Sequence, residues 1–93
     1  MKKILVACGN GMGTSMLIKN LVQRVFDGLS IEVTVEHESI GEALSCARNY
    51  DIVIVPSLFE SQFTNLGETV LISLQNLMSA DELLSKLKEK NIV

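Results

Sequence analysis

Ile4-Leu5-Val6-Ala7-Cys8-Gly9-Asn10-Gly11-Met12-Gly13-Thr14-Ser15 puts a cysteine at the end of an apolar strand, adds a glycine-rich turn and then opens an amphipathic helix. A strand, a tight turn and a helix in that order are the building unit of a parallel sheet. Gly9, Gly11 and Gly13 let backbone N–H groups converge on one point, and the positive end of the following helix adds to the field there. That field favours an anion beside Cys8. The thiol is therefore placed to attack phosphorus and to hold the phosphoryl group it captures.

The rest of the chain repeats the unit. Residues 3–7 read as a buried strand, and residues 14–26 as a helix with an apolar stripe at Leu17, Leu21 and Val25 widened by Ile18 and Val22, ended by Asp27-Gly28. Residues 31–36 alternate Ile, Glu, Val, Thr, Val, Glu, the mark of a strand with one wet face at a sheet edge. His37, the single histidine and so a natural suspect for phosphoryl relay, then falls in the loop behind that strand and is read as a solvated residue. Ser39 caps a short helix whose apolar positions are Ile40, Ala43, Leu44 and Ala47. Residues 51–55 contain a continuous β-branched run, which predicts a central strand covered on both faces, ended by Pro56-Ser57. A helical turn is expected near 60–63 and a fourth strand over 69–73. Ser79 and Glu82, in capping-box spacing, open the last helix.

This order predicts an α/β fold over residues 1–93 as a single domain. It is a four-stranded parallel sheet of order 2-1-3-4, with right-handed crossovers and helices on both faces, in a Rossmann-like three-layer sandwich. Ligands of such sheets bind at the carboxyl ends of the strands, which here carry Cys8 with its loop, Pro56-Ser57 and Gln75-Asn76.

Composition narrows the function classes. The chain has 93 residues, 47% of them hydrophobic, with six glycines and one proline, which suffices for one core. Eight Lys and Arg against 11 Asp and Glu leave a net charge of -3, and the basic residues are scattered (Lys2, Lys3, Lys19, Arg24, Arg48, Lys86, Lys88, Lys90), so no nucleic-acid footprint forms. The last three lysines complement the dipole of the final helix. No apolar run approaches the roughly 20 residues of a membrane helix, and nothing at Met1-Lys2-Lys3 resembles a signal peptide, so a cytoplasmic protein without direct membrane insertion is expected. Cys8 and Cys46 are too far apart in sequence for a metal pair or a CxxC motif, and a reducing cytosol keeps both as thiols. No metal or other cofactor is expected.

Three phosphate-binding motifs compete for the glycine loop. A Walker A loop needs a lysine after its second glycine, and no lysine stands between Cys8 and Ile18. The dinucleotide fingerprint needs its third glycine one place later than Gly13; Glu36 sits near the position of a ribose-binding acid, but the chain is too short for a second nucleotide-binding half. The third is the Cys-x5-Arg-Ser/Thr loop of low-molecular-weight tyrosine phosphatases, also placed after a first parallel strand. Here the spacing gives Cys8-x5-Thr14-Ser15, so Thr14 occupies the place of the arginine that clamps the transferring phosphoryl group. A loop of amides and hydroxyls without that guanidinium hydrolyses slowly and favours a carrier over a hydrolase. A cysteine-dependent phosphatase and a regulatory binding module remain the alternatives.

The other chemistry-bearing residues receive plainer readings. Cys46 lies on the apolar side of the second helix and packs. Asp51 precedes the third strand at its amino end, away from the site, and Asp81 and Glu82 are helix-start residues. Ser57 and Asn76 sit at the correct sheet edge to support the loop.

With these residues the chain resembles the enzyme IIB components of the bacterial phosphoenolpyruvate-dependent sugar phosphotransferase system, in the ascorbate/galactitol branch with its lactose/cellobiose-like IIB fold. The stretch Cys8-Gly9-Asn10-Gly11-Met12-Gly13-Thr14-Ser15-Met16 is most similar to ascorbate-type IIB loops. The resemblance implies that Cys8 accepts a phosphoryl group from a histidine of a IIA protein. It implies that Cys8 then donates it to an ascorbate-like or galactitol-like sugar held by the membrane IIC component. It also implies that Gly9, Asn10, Gly11, Met12, Gly13, Thr14 and Ser15 bind the phosphoryl oxygens, with the Met12 side chain suited to a partner contact. Association with the membrane would then run through IIC.

Overall fold

A computed structural model describes residues 2–8 and 12–92; of residues 12–15 it describes the backbone alone. The strands are β1 (Lys2–Cys8), β2 (Val33–Ser39), β3 (Ile52–Pro56) and β4 (Val70–Leu74), and the helices are α1 (Met12–Gly28), α2 (Ile40–Cys46) and α3 (Ala80–Glu89). Short 3-10 segments follow α2 at Ala47–Asn49 and β3 at Ser57–Gln62.

The sheet has the order β2-β1-β3-β4, and each neighbouring pair is parallel, as the sequence pattern predicts. The two apolar runs, in β1 and β3, occupy the centre because only there are both faces of a strand dry: Ile4, Leu5, Val6 and Ala7 are all 0% exposed. The period of two divides these side chains between two cores. Ile4, Val6, Cys8, Ile52 and Ile54 face α1 and α3 and pack with Ile18, Val22, Phe26, Leu83 and Leu87. Leu5, Ala7, Val53 and Val55 face the opposite layer, made by Ala43, Ala47 and Phe63.

At the amino edge one residue laces three strands. The Asp51 N–H donates to Lys3 O at 2.8 Å, Asp51 O accepts the Val70 N–H at 3.0 Å, and Asp51 Oδ2 accepts the Lys3 N–H at 2.8 Å.

Two elements differ from their sequence expectation. α1 starts at Met12, two residues earlier than the sequence pattern predicts. Its buried row is Ile18, Val22 and Phe26, whereas Leu17 is 57% exposed and Leu21 and Val25 are half-buried. The sequence contains two overlapping rows of i, i+4 spacing, and the row carrying Phe26 goes inward because an aromatic ring holds the most apolar surface to remove from water. β2 begins two residues late and runs three residues past Glu36, because its ladder continues until Glu38 pairs with Ala7 and Ser39 with Cys8.

Helices α1 and α3 end alike. Ile31 N–H returns to Phe26 O at 3.0 Å and Ser30 N–H to Asp27 O at 3.1 Å, while Ile92 N–H returns to Leu87 O at 3.0 Å and Asn91 N–H to Lys88 O at 3.1 Å. Ser30 (φ 59) and Asn91 (φ 60) take the left-handed turn that this closure requires.

Candidate functional site

Cys8 is the last residue of β1 and is 5% exposed, the outermost member of the core row Ile4, Val6, Cys8. Its neighbour on the edge strand is set by register. β2 pairs Val6 with His37 and Cys8 with Ser39, and alternation sends Val33, Val35 and His37 to the same face as Val6 and Cys8. Val33 and Val35 are buried in the shared core, and His37 continues their row at its rim. Strand side chains lean along the strand direction. The imidazole bridges to the sulfur, with Nε2 at 2.9 Å from Cys8 Sγ.

This overturns the reading of His37 as a solvated loop residue. The polar tetrapeptide Glu36-His37-Glu38-Ser39 looks like a loop, yet it is held as strand by pairing with β1. The signal was present in the alternation, since His37 stands two places beyond Val35, on an edge strand adjacent to the cysteine-bearing one.

α1 begins at Met12, so residues 9–11 alone connect the thiol to a helix amino end, whose first-turn N–H groups lack intrahelical partners. Of the expected phosphate-binding residues, Gly9, Asn10 and Gly11 lie outside the described residues, as do the side chains of Met12, Thr14 and Ser15; the backbone of Met12, Gly13, Thr14 and Ser15 forms the first turn of α1.

Ser57 opens the 3-10 segment beyond β3 and is exposed. Beyond β4, the carboxylate of Glu82 accepts the Gln75 N–H at 2.8 Å and the Asn76 N–H at 3.0 Å. Ser79 caps α3 by accepting the Glu82 N–H at 3.2 Å. The capping box is thus half-formed: Glu82 reaches back to the strand end, and the Ser79 N–H donates to Asn76 O at 3.0 Å. The two backbone N–H groups of Gln75 and Asn76 hold the Glu82 carboxyl below the usual carboxylate range. Asn76 Oδ1 accepts the Met78 N–H at 2.9 Å, which ties this side chain into its own loop.

The remaining candidates fall where the sequence pattern put them. Asp51 is at the amino edge with Lys3. A cleft of about 400 Å³ lined by Arg48, Tyr50, Asp51, Leu66, Glu68 and Thr69 also lies at that edge, across the sheet from the thiol. Cys46 packs against the second core, and burial, then the charges of Glu38 and Glu42, pushes its thiol pKa up. Among the described residues, no group of three or more His, Cys, Asp or Glu could hold a metal ion, and no helix is long and apolar enough to cross a membrane.

Around the carboxyl edge, several connections expose apolar side chains. Met16 (58%) and Leu17 (57%) stand early on α1, Leu58 (80%) just past β3 and Met78 (44%) just past β4. Exposed apolar side chains of this kind are common on surfaces that meet other proteins.

A small parallel sheet of order 2-1-3-4 with helices packed on it belongs to the α/β class whose ligand sites lie at the carboxyl ends of the strands, where Cys8 stands. Within it the assignment is specific: residues 3–88 match the family model described as "PTS system, Lactose/Cellobiose specific IIB subunit", and the chain belongs to that family. IIB components are phosphotransferases, working with IIA and IIC partners, and this chain is one. It is similar to the "Ascorbate-specific PTS system EIIB component" of Mycoplasma pneumoniae, at 36% identity over 80 residues, covering 86% of this chain and 84% of that one. The protein of the same description from Escherichia coli O157:H7 is 31% identical over 87 residues, covering 94% of this chain and 86% of that one. Among solved structures, the lactose-specific IIB component domain from Streptococcus pneumoniae has the same fold, with a TM-score of 0.67 at 18% identity over 98% of this chain and 92% of that one.

Proposed function

We propose that the chain carries a phosphoryl group as phosphocysteine on Cys8, receiving it from a phosphohistidine of a IIA protein and passing it to a sugar held by the membrane IIC component. The observation that carries this reading is the thiol at the carboxyl end of β1 with an imidazole 2.9 Å from its sulfur. Both transfers are in-line displacements in which positioning and charge stabilisation dominate. Gly9, Asn10, Gly11, Met12, Gly13, Thr14 and Ser15 hold the phosphoryl oxygens with backbone amides and the hydroxyls of Thr14 and Ser15. Thr14 in place of an arginine keeps the adduct intact long enough to be handed on. The sugar is of the ascorbate type, on the strength of relatives described as ascorbate-specific. The protein works in the cytoplasm, meeting the membrane through IIC, and the exposed Met16, Leu17, Leu58 and Met78 supply apolar surface for its partners.

The test is intact mass after incubation with phosphoenolpyruvate, the general phosphotransferase proteins and a competent IIA. One added phosphoryl group on the wild type and none on Cys8→Ser is the expected result. A wild type left unmodified by a donor shown to be charged would overturn the carrier reading. Fast turnover of an aryl phosphate by the chain alone would replace it with a phosphatase.

A further inference from the structure

We infer that His37 is the proton relay of this site, holding the hydrogen of the Cys8 thiol as the sulfur gains its phosphoryl group and returning it when the group departs. The inference rests on the carrier reading and adds a residue and a role to it. The chain has a single histidine. Its Nε2 stands 2.9 Å from Sγ of Cys8, a side chain 29 positions away in sequence.

The placement is imposed by the fold. Val33 and Val35 are both buried in the core of β1 and α1. A register slip of one residue would turn that whole row to the opposite face, so their burial fixes the face from which His37 reaches the sulfur. Folding does not require the contact, because a buried thiol behaves as a small hydrophobe and is a weak donor that tolerates apolar surroundings. An imidazole half-buried at the core rim, beside the one sulfur at the carboxyl end of β1, instead has the geometry of a nucleophile and its base. Glu36 and Glu38, its neighbours on β2, alternate to the other face.

The step balances in both directions. In the forward half, the S–H bond breaks and its proton passes to Nε2 while the sulfur electron pair forms the S–P bond. The P–N bond to the donor imidazole breaks, its electron pair stays on that nitrogen, and the nitrogen takes the proton from His37. In the second half, a sugar hydroxyl attacks phosphorus and its proton moves to His37. The S–P bond breaks with its pair on sulfur, and His37 returns the proton to sulfur. The imidazole begins and ends each half without the relayed proton.

Two measurements on the full chain test this. In the first, His37→Gln, which keeps a hydrogen-bonding side chain but cannot carry the proton, is compared with the wild type for the rate of phosphoryl gain from phosphorylated IIA. The expected loss in maximal rate is about 100-fold or more, the usual contribution of a positioned acid–base group, with the KM for IIA unchanged. Free imidazole is expected to restore part of the rate to His37→Ala. In the second, with Cys46→Ala leaving Cys8 as the one thiol, iodoacetamide at neutral pH is expected to alkylate Cys8 about tenfold faster with His37 than with Gln at that position, in line with activation of a thiol by a neighbouring base. Thermal melts of each variant establish that it is folded. A charged wild type beside an equally fast His37→Gln overturns the relay and leaves the carrier reading standing. An uncharged wild type overturns both, and equal alkylation rates overturn the relay alone.

Discussion

Leu17→Ala and Ile18→Ala remove comparable side chains from adjacent positions of α1, and the structure assigns them opposite consequences. Ile18 is 2% exposed and belongs to the core that α1 shares with the sheet, while Leu17 is 57% exposed. Cutting isoleucine to alanine removes three carbons, about 2.4 kcal/mol at about 0.8 kcal/mol each, and a residual cavity raises the loss to about 3 kcal/mol. At about 4–8 °C per kcal/mol for a domain of this size, the melting temperature falls by roughly 12–24 °C. At Leu17, water fills the space and less than half of the side chain was covered, so the loss is about 1 kcal/mol or less. The gap of about 2 kcal/mol is roughly a 30-fold difference in the folding equilibrium, well within reach of urea titrations with shared m-values. Leu17→Ala destabilising as much as Ile18→Ala would refute the assignment of the Ile18, Val22, Phe26 row as the inward face of α1.

Glu82→Gln should loosen the turn at Gln75-Asn76 and lower stability at neutral pH. Because the folded carboxyl is shifted down, its contribution is present above the ordinary glutamate range near pH ~4.3 and is lost as pH falls through the lowered folded value; denaturant midpoints of wild type and variant should therefore converge in acid. Ser30→Gly, at φ 59, should raise stability by about 0.5–1 kcal/mol in the same assay, the left-handed turn being relieved by more than glycine's added chain entropy. Thr14→Arg should shorten the lifetime of the phosphocysteine followed by intact mass, and an unchanged lifetime would contradict the role given to the missing guanidinium.

The sheet order was legible because its determinants are local: two apolar runs that need burial on both faces, one alternating strand that needs an edge, and turns that separate them. His37 was not, because the residues after Val35 are polar and only hydrogen bonding to β1 keeps them extended. The inward face of α1 was ambiguous for a different reason. Two rows of equal spacing run along it, and burial of Phe26 decides between them. At Ser79 and Glu82 the spacing identifies the cap correctly but not where the glutamate points, since the strand end offers it two N–H groups where a capping box offers one.

The lacing of β1, β3 and β4 through Asp51 divides the molecule in a way that bears on how its two ends open. Backbone amides near Lys3, Asp51 and Val70 should be among the slowest to exchange with deuterium, since releasing them requires separating three strands. The exposed 3-10 segment at Ser57–Gln62, beyond the other end of β3, should exchange through small local openings. An opening of that segment would leave the junction of β1, β3 and β4 at Asp51 closed, so the two ends of the sheet should report different free energies of opening in one exchange experiment.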